Sequence, residues 1–139
     1  MILIKRAYDP PARTDGRRLL VERLWPRGVK KESLSADAWL KDVAPSTALR
    51  TWFGHRPERW DEFQRRYRAE LGANPDAWRP IAEAARAGTV TLVYAARDRE
   101  HNGALVLRDF LAGRARRRRP STGAATGPRP RGARPRRRR

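Results

Sequence analysis

The sequence predicts a small α/β domain in which helices cover an at least partly parallel, Rossmann-like sheet, followed by a disordered basic C-terminal tail. Two apolar runs near the start, Ile2 to Ile4 and Leu19 to Val21, are typical of strands buried on both faces. A third run, TVTLVYA at residues 89–95, is rich in β-branched residues and predicts a central strand. Helical patterns between the second and third runs favour parallel pairing. Three strands make a small sheet, which leaves room for a fourth.

The segments between and after these strands carry apolar residues at helical spacing. Ser35 and Ser46 are expected to cap two of the helices, and Gly54 is expected to end the second of them. The stretch 8–16, YDPPARTDG, is predicted to be a loop because it holds two prolines and an Asp-Gly step. The predicted helices are SADAWLKDV at 35–43, STALRTWF at 46–53, PERWDEFQRRYRAEL at 57–71, PDAWRPIAEAARA at 75–87 and GALVLRDFL at 103–111.

The charge of the chain is concentrated at its C-terminal end. Residues 112–139 hold 12 of the 33 Lys and Arg and no Asp or Glu, so the rest of the chain carries a net charge of only +6. A segment with so much Arg, Pro and Gly and so few aliphatic residues cannot bury a core. We therefore expect a folded domain at residues 1–112 and a disordered, Arg-rich tail at residues 113–139.

The composition excludes several classes of chemistry. The chain has no Cys, which rules out disulfides, thiolate nucleophiles and cysteine-bearing zinc or iron-sulfur sites. Its two histidines, His55 and His101, do not match a standard metal-binding spacing, so neither a metal nor another cofactor is expected. No stretch reads as a signal peptide or a membrane span, which predicts a cytoplasmic protein without a membrane partner.

Two loops are expected to meet where ligands bind in open α/β sheets, beyond the carboxyl ends of the strands. The first is RLWPRGVKK at 23–31, in which Pro26 and Gly28 shape a rigid turn between basic residues. The second is YAARDREHN at 94–102, which leads from a strand into a helix. Basic side chains close to a helix N-terminus favour a phosphate or a carboxylate. The sequence therefore predicts an anion site at this edge.

Each candidate residue also has a structural interpretation, which the sequence leaves open. Tyr94, Asp98 and His101 are candidates for proton transfer, but Asp98 is equally typical of a helix cap and His101 of an exposed loop. In the basic stretch, Trp25 could simply cover the edge of the core while the charges remain solvated. No phosphate-binding glycine loop, nucleophile elbow or catalytic carboxylate pair is visible. The reaction class is therefore not indicated.

These residues also carry a resemblance to a known family. The motifs YDPP…DG, RLWPRG, LR.WF, F...Y..EL and TLVYAARD..HN.A.VL follow the order found in the YeaO-like family, a bacterial and archaeal group with a domain of unknown function. The resemblance spans about residues 1–111 and implies that RLWPRG and YAARD..HN form one pocket. A related branch carries a cysteine where this chain has Tyr94, which argues against a thiol mechanism here. The residues that the resemblance singles out are Asp9, Arg23, Trp25, Arg27, Arg50, Tyr94, Asp98, His101 and Asn102.

Three functions follow as expectations. In the first, a basic pocket binds a phosphorylated or carboxylated small molecule, and nucleotides are among the candidate ligands. The sequence does not decide whether the protein also catalyses hydrolysis or group transfer. The second is non-specific nucleic-acid binding through residues 113–139, and the third is a protein-interaction domain with a Trp-rich face. The sequence does not indicate an oligomeric state. For the first function the expected ligand-binding residues are Asp9, Arg23, Trp25, Arg27, Lys30, Arg50 and Asn102, and the expected catalytic residues are Tyr94, Asp98 and His101.

Overall fold

One parallel sheet organises the chain. The computed structural model describes residues 1–118 of the 139-residue chain. All pairings in the sheet are parallel, in the order β1-β4-β2-β3, so β4 lies inside the sheet as predicted. The α/β class and the parallel sheet are thereby confirmed. The strands are β1 at Ile2–Arg6, β2 at Arg17–Leu20, β3 at Ala38–Trp39 and β4 at Val90–Tyr94.

Most of the predicted helices are present. The Ser46 hydroxyl accepts a hydrogen bond from the Leu49 N–H at 3.1 Å and so caps the helix that follows it, which Gly54 ends with a φ of 54°. The two segments with the longest helical spacing of apolar residues form the helices at Trp60–Ala73 and Pro75–Ala87. Short 3-10 turns cover Arg13–Asp15, Lys41–Val43 and Pro57–Arg59. The helices are α1 at Lys31–Leu34, α2 at Thr47–Phe53, α3 at Trp60–Ala73, α4 at Pro75–Ala87 and α5 at Gly103–Arg118.

The helix predicted at 35–43 is wrong. Ser35 does not begin a helix; it is the C-cap residue of α1, with a left-handed φ of 52°. The backbone then forms β3, which pairs with β2 in the register Leu19↔Ala38 and Leu20↔Trp39. Pairing with a distant strand has overridden a local helical spacing of apolar residues. The hidden fourth strand is therefore the edge strand next to β2.

Alternate residues of the two inner strands build two cores. Leu19 of β2 and Leu92 of β4 lie side by side and face the helices, in a large cluster that also holds Phe63 and Leu107. On the opposite face of the sheet, Leu20 and Val93 pack with Ala7 and Leu34 in a smaller cluster, against which Trp25 lies. Burial on both faces explains why these strands are apolar throughout.

A buried ion-pair network stabilises the smaller face. Asp15 and Arg18 are 3% and 4% exposed, and an Nη of Arg18 donates to the Asp15 carboxylate at 2.6 Å. Lys5 donates to the same carboxylate at 3.0 Å, and the Arg18 guanidinium also donates twice to the Leu34 carbonyl. The hydroxyl of Thr91 on β4 donates to the Asp15 carbonyl at 2.7 Å. These contacts fix the loop between β1 and β2 over the sheet.

The last helix extends past the expected end of the domain. The folded domain was predicted to end at residue 112, and α5 continues through Arg118, so residues 113–118 belong to this helix. Ala and Arg are good helix formers, and the Arg114 side chain packs over Trp78. The remainder of the predicted tail, residues 119–139, lies outside the described residues. Within residues 1–118, no helix combines the length and the apolar character that crossing a membrane requires.

Candidate functional site

The carboxyl ends of β2 and β4 lie side by side and are tied together by an acidic side chain. Glu22 comes two residues after β2, and its carboxylate accepts a hydrogen bond from the N–H of Ala95 at 3.0 Å. Ala95 is the first residue after β4. Because both strands are parallel, this contact defines the edge at which ligands bind in open α/β sheets.

A cleft opens at this edge, between the strand ends, α2 and the start of α5. It measures about 100 Å³, which is smaller than pockets that enclose a whole drug-sized ligand. It therefore suits a compact group such as a phosphate or a carboxylate. The lining residues are Val21, Glu22, Pro45, Arg50, Phe53, His55, Phe63, Ala96, His101, Asn102, Gly103 and Ala104.

The Glu22 carboxyl is a titratable group of the cleft whose pKa differs from its usual value. Burial raises its pKa above the usual glutamate value, although the Ala95 N–H and the charges of Arg50 and His55 act in the opposite direction. Sequence reasoning missed Glu22, and it considered His55 only as a metal ligand. The signal for Glu22 was an acidic residue directly after a buried strand. A group with a shifted pKa in a cleft marks a candidate functional site.

Asp98 and His101 form a hydrogen-bonded pair just before the N-terminus of α5. The imidazole Nδ1 lies 2.8 Å from one Asp98 oxygen, and the other oxygen accepts the backbone N–H groups of Glu100 and His101. The bond from the Glu100 N–H, followed by the His101 side chain, lowers the pKa of Asp98. The imidazole packs edge-on against Trp60, with 5.2 Å between ring centroids. Asp98 thus fixes the orientation of an imidazole that lines the cleft.

Asn102 holds the N-terminus of α5 against the cleft. Its side-chain oxygen accepts the N–H of Leu105 at 3.0 Å, and its amide donates to the Asp98 carbonyl at 3.0 Å. Asn102 is therefore a buried helix cap. The next residues, Gly103 and Ala104, line the cleft and belong to the first turn of the helix, whose N–H groups have no partner within the helix.

The basic stretch after β2 does not line the cleft. The guanidinium of Arg23 donates hydrogen bonds to the carbonyls of Pro45 and Ala44, at 2.9 and 3.2 Å, and so anchors the segment before α2. Trp25 donates its indole N–H to the Val29 carbonyl at 2.6 Å and packs toward the smaller core, where it meets Trp39 edge-on.

Two further basic residues of this stretch are also apart from the cleft. Arg27 and Lys30 are exposed, and neither is among the lining residues. The Arg27 carbonyl accepts a hydrogen bond from the Tyr8 hydroxyl at 2.9 Å. Of the residues expected to bind an anion, the structure brings only Arg50 and Asn102 to the cleft.

Tyr94 and Asp9 belong to a second polar cluster at the same edge of the sheet. Both oxygens of Asp9 accept hydrogen bonds from the Arg99 guanidinium at 3.0 Å, and this contact lowers the pKa of Asp9. Burial raises the pKa of Tyr94, while the charges of Arg99 and Arg6 partly oppose the rise. Neither Tyr94 nor Asp9 lines the cleft. The expected proton-transfer residues are thus divided between two neighbouring clusters.

The donor set of the cleft limits its chemistry. A guanidinium, two imidazoles and the N-terminal N–H groups of α5 can hold an anion, and Glu22 can accept a hydrogen bond or carry a proton. None of the twelve lining residues is Ser, Thr, Cys or Lys, so the cleft lining offers no common side-chain nucleophile except histidine and glutamate. Within residues 1–118, no three His, Asp or Glu side chains gather closely enough to hold a metal ion.

The fold and the cleft together define a small α/β protein with a polar cleft at the carboxyl edge of a parallel sheet. The model of the family DUF488-N3i, described as the inactive DUF488-N3 subclade, matches residues 1–129. The chain belongs to this family.

Several relatives are similar over nearly their whole length. The uncharacterized protein YeaO of Escherichia coli (strain K12) is 43% identical over 110 residues, which cover 79% of this chain and 96% of YeaO. The uncharacterized proteins Mb3100c of Mycobacterium bovis and Rv3073c of Mycobacterium tuberculosis are each 40% identical over 113 residues, or 81% of this chain and 95% of theirs. No solved structure matches the chain. The resemblance to the YeaO-like family is therefore confirmed.

Proposed function

We propose that the protein binds a compact anionic ligand, phosphorylated or carboxylated, in the cleft between β2 and β4 without converting it chemically. The observation that carries this proposal is the convergence of Arg50, two imidazoles and the N-terminus of α5 on one small cleft. Each of these groups donates hydrogen bonds or supplies positive charge. A ligand with a terminal phosphate or carboxylate satisfies them together.

Arg50 is the main charged contact in this proposal. Its side chain is exposed at the cleft, whereas the guanidinium of Arg23 is already bound to backbone carbonyls. A guanidinium presents a planar fork of donors that matches two oxygens of an anion. Gly103 and Ala104, in the first turn of α5, also line the cleft, where the dipole of a 16-residue helix adds to the attraction.

Glu22 makes the proposed binding dependent on pH. Its ionised carboxylate repels an anion, whereas its protonated form can donate a hydrogen bond to it. Because burial raises the pKa of Glu22, the protonated form persists to a higher pH than in an exposed glutamate. Anion affinity is therefore expected to increase as the pH falls through the pKa of Glu22.

Two observations support binding without turnover. The lining residues include no hydroxyl or thiol nucleophile, and the family description designates the subclade inactive.

A second candidate function is hydrolysis by a water molecule. It is favoured by the hydrogen bond of 2.8 Å between Asp98 and His101, because a carboxylate that orients an imidazole in this way is typical of a general base. Turnover of a bound phosphate ester that is lost in His101→Gln would establish this second function.

The test is a thermal-shift and calorimetric titration of the full chain with inorganic phosphate, sugar phosphates, nucleotides and small dicarboxylates. Saturation at 100 times Kd would stabilise the folded state by about 2.7 kcal/mol. Arg50→Gln should remove the stabilisation by the anion while leaving the unliganded protein folded, since the side chain is exposed.

Arg68→Gln provides the matched control, because this exposed arginine lies on α3 and does not line the cleft. It removes the same charge and should preserve binding. The proposal is wrong if none of these anions stabilises the full chain, or if Arg50→Gln and Arg68→Gln weaken the binding equally.

A further inference from the structure

A groove separate from the cleft runs between α4 and the C-terminal half of α5. It measures about 490 Å³ and shares no lining residue with the cleft. It is lined by Pro75, Trp78, Arg79, Ala82, Glu83, Arg86 and Arg114. Three arginines and one glutamate make this lining net positive.

Arg114 is held in the groove by two aromatic rings. Its guanidinium carbon lies 4.6 Å from the ring centroid of Trp78 and 6.0 Å from that of Phe110. These contacts fix the planar group, so little conformational freedom is lost when it binds an acceptor. The Nε of Arg114 is buried and has no hydrogen-bond partner within the described part of the chain.

Two of the three arginines remain available for a ligand. Arg79 pairs with Asp76 at 2.5 Å, and both of these side chains are largely exposed. Arg86 is exposed on α4 and forms no ion pair within residues 1–118. Arg86 and the aromatic-held Arg114 therefore supply two cations on neighbouring helices, against the single carboxylate of Glu83.

The groove also lies where the strongly basic sequence begins. Arg114 is the first of the 12 basic residues in the segment 112–139, which contains no Asp or Glu. Any polyanion attracted by that segment is brought to the end of α5, next to the groove. The positive charge of the groove and of this segment together complements a long polyanion better than a single small ion.

From these observations, we propose that the groove between α4 and α5 binds the phosphodiester backbone of nucleic acid. Phosphate oxygens accept hydrogen bonds from the guanidinium groups of Arg86 and Arg114. Trp78 is only 4% exposed beneath Arg114, so it offers no free ring face to a base. Recognition is therefore of the backbone, independent of base sequence, and it is separate from the anion cleft.

The test measures binding of the full chain to a fluorescein-labelled DNA duplex by fluorescence anisotropy at several salt concentrations. The test variant combines Arg86→Gln with Arg114→Met, because Met retains an apolar stem over Trp78 while removing the charge and the donors. The control variant combines Arg13→Gln with Arg68→Gln, two exposed arginines outside the groove, and has the same net charge. Circular dichroism verifies that both variants fold.

The groove variant should bind more weakly than the control, with a salt slope reduced by about 1 for each arginine lost. Equal affinities and slopes in the two variants would overturn the proposal, since bulk charge alone would then explain the binding. A polyglutamate chain serves as a second arm. Groove-dependent binding of polyglutamate without groove-dependent binding of DNA would also overturn it, in favour of an acidic protein partner.

Discussion

Arg18→Met removes the centre of the buried network between β2 and the preceding loop. The Arg18 guanidinium donates to the Leu34 carbonyl at 3.0 and 2.8 Å and to the Asp15 carboxylate at 2.6 Å. The substitution leaves that carbonyl without these donors, at a cost of about 1–3 kcal/mol. It also breaks a buried ion pair, for which the total loss is about 3–5 kcal/mol.

The lower end of that range applies here. Asp15 keeps the ammonium of Lys5 at 3.0 Å and the N–H of Ala12 at 2.9 Å, and the Met side chain preserves apolar packing. We therefore expect a loss of about 3 kcal/mol in the free energy of unfolding, which lowers the melting temperature by about 12 °C in a domain of this size.

Urea unfolding followed by tryptophan fluorescence measures this loss. Arg17→Met is the matched control, since Arg17 lies beside Arg18 on β2 but is exposed, and its effect should stay within about 0.5 kcal/mol. A loss below about 1 kcal/mol for Arg18→Met would refute the assignment of a stabilising role to the network.

The same network predicts the response to acid. Burial tends to raise the pKa of Asp15, but hydrogen bonds from Ala12, Lys5 and Arg18 outweigh it, so the pKa lies below the ordinary value. The stabilisation is therefore present above the unfolded-state pKa and is lost as the pH falls through the folded-state pKa. In Arg18→Met one of these causes is absent, so the variant should lose less stability than the wild type on acidification.

Three further predictions concern single positions. Glu22→Gln should increase the free energy of unfolding at neutral pH and have little effect in acid. Burial raises the pKa of the Glu22 carboxyl, so the folded state favours its protonated form, and this contribution to stability is lost as the pH rises through the folded-state pKa. Ser46→Ala should cost about 1–2 kcal/mol through loss of the α2 cap. Gly16→Ala should be far more harmful than Gly28→Ala, although both have positive φ, because only the first places a Cβ in steric conflict with the Thr89 carbonyl oxygen. Chemical denaturation measures all three.

Each of these predictions has a contradicting result. A Glu22→Gln variant that is less stable at neutral pH would show that the ionised carboxylate contributes more through its contacts than burial costs. A Ser46→Ala variant with wild-type stability would mean that water replaces the cap. Equal losses in Gly16→Ala and Gly28→Ala would mean that backbone conformation, rather than close approach, determines the cost at both sites.

Elements with a strong local pattern were predictable from the sequence. β4 is apolar at every position except Thr91, and α3 repeats aromatic residues at helical spacing, so each pattern admits one interpretation. β3 was missed because it has only two residues, Ala38 and Trp39, and its neighbours fit a helical spacing. The strand exists because its backbone pairs with β2, and such a partner is invisible in a local window.

The edge of the sheet at which the cleft lies follows from the sequence, but the direction of the side chains around it does not. Parallel strands bring their following loops to one edge, and the structure has a cleft at that edge, after β2 and β4. Whether Arg23 points into that cleft depends on carbonyls about twenty residues away, at Ala44 and Pro45. The same limitation hid Glu22, whose role follows from its contact with Ala95 across two strands. The chemical roles expected for Tyr94 and the other candidates stay predictions.

The two proposed sites make separable demands, and one set of variants distinguishes them. Arg50→Gln should abolish binding of small anions and leave the salt slope for DNA within the range of the Arg13→Gln/Arg68→Gln control, because the cleft and the groove share no residue. The Arg86→Gln/Arg114→Met variant should do the reverse. If Arg50→Gln weakened DNA binding beyond that control, the cleft would be part of the nucleic-acid surface, and its ligand would be a backbone phosphate rather than a free small molecule. Failure at one site would thus leave the argument for the other intact, whereas loss of both activities in each single-site variant would require one continuous polyanion surface.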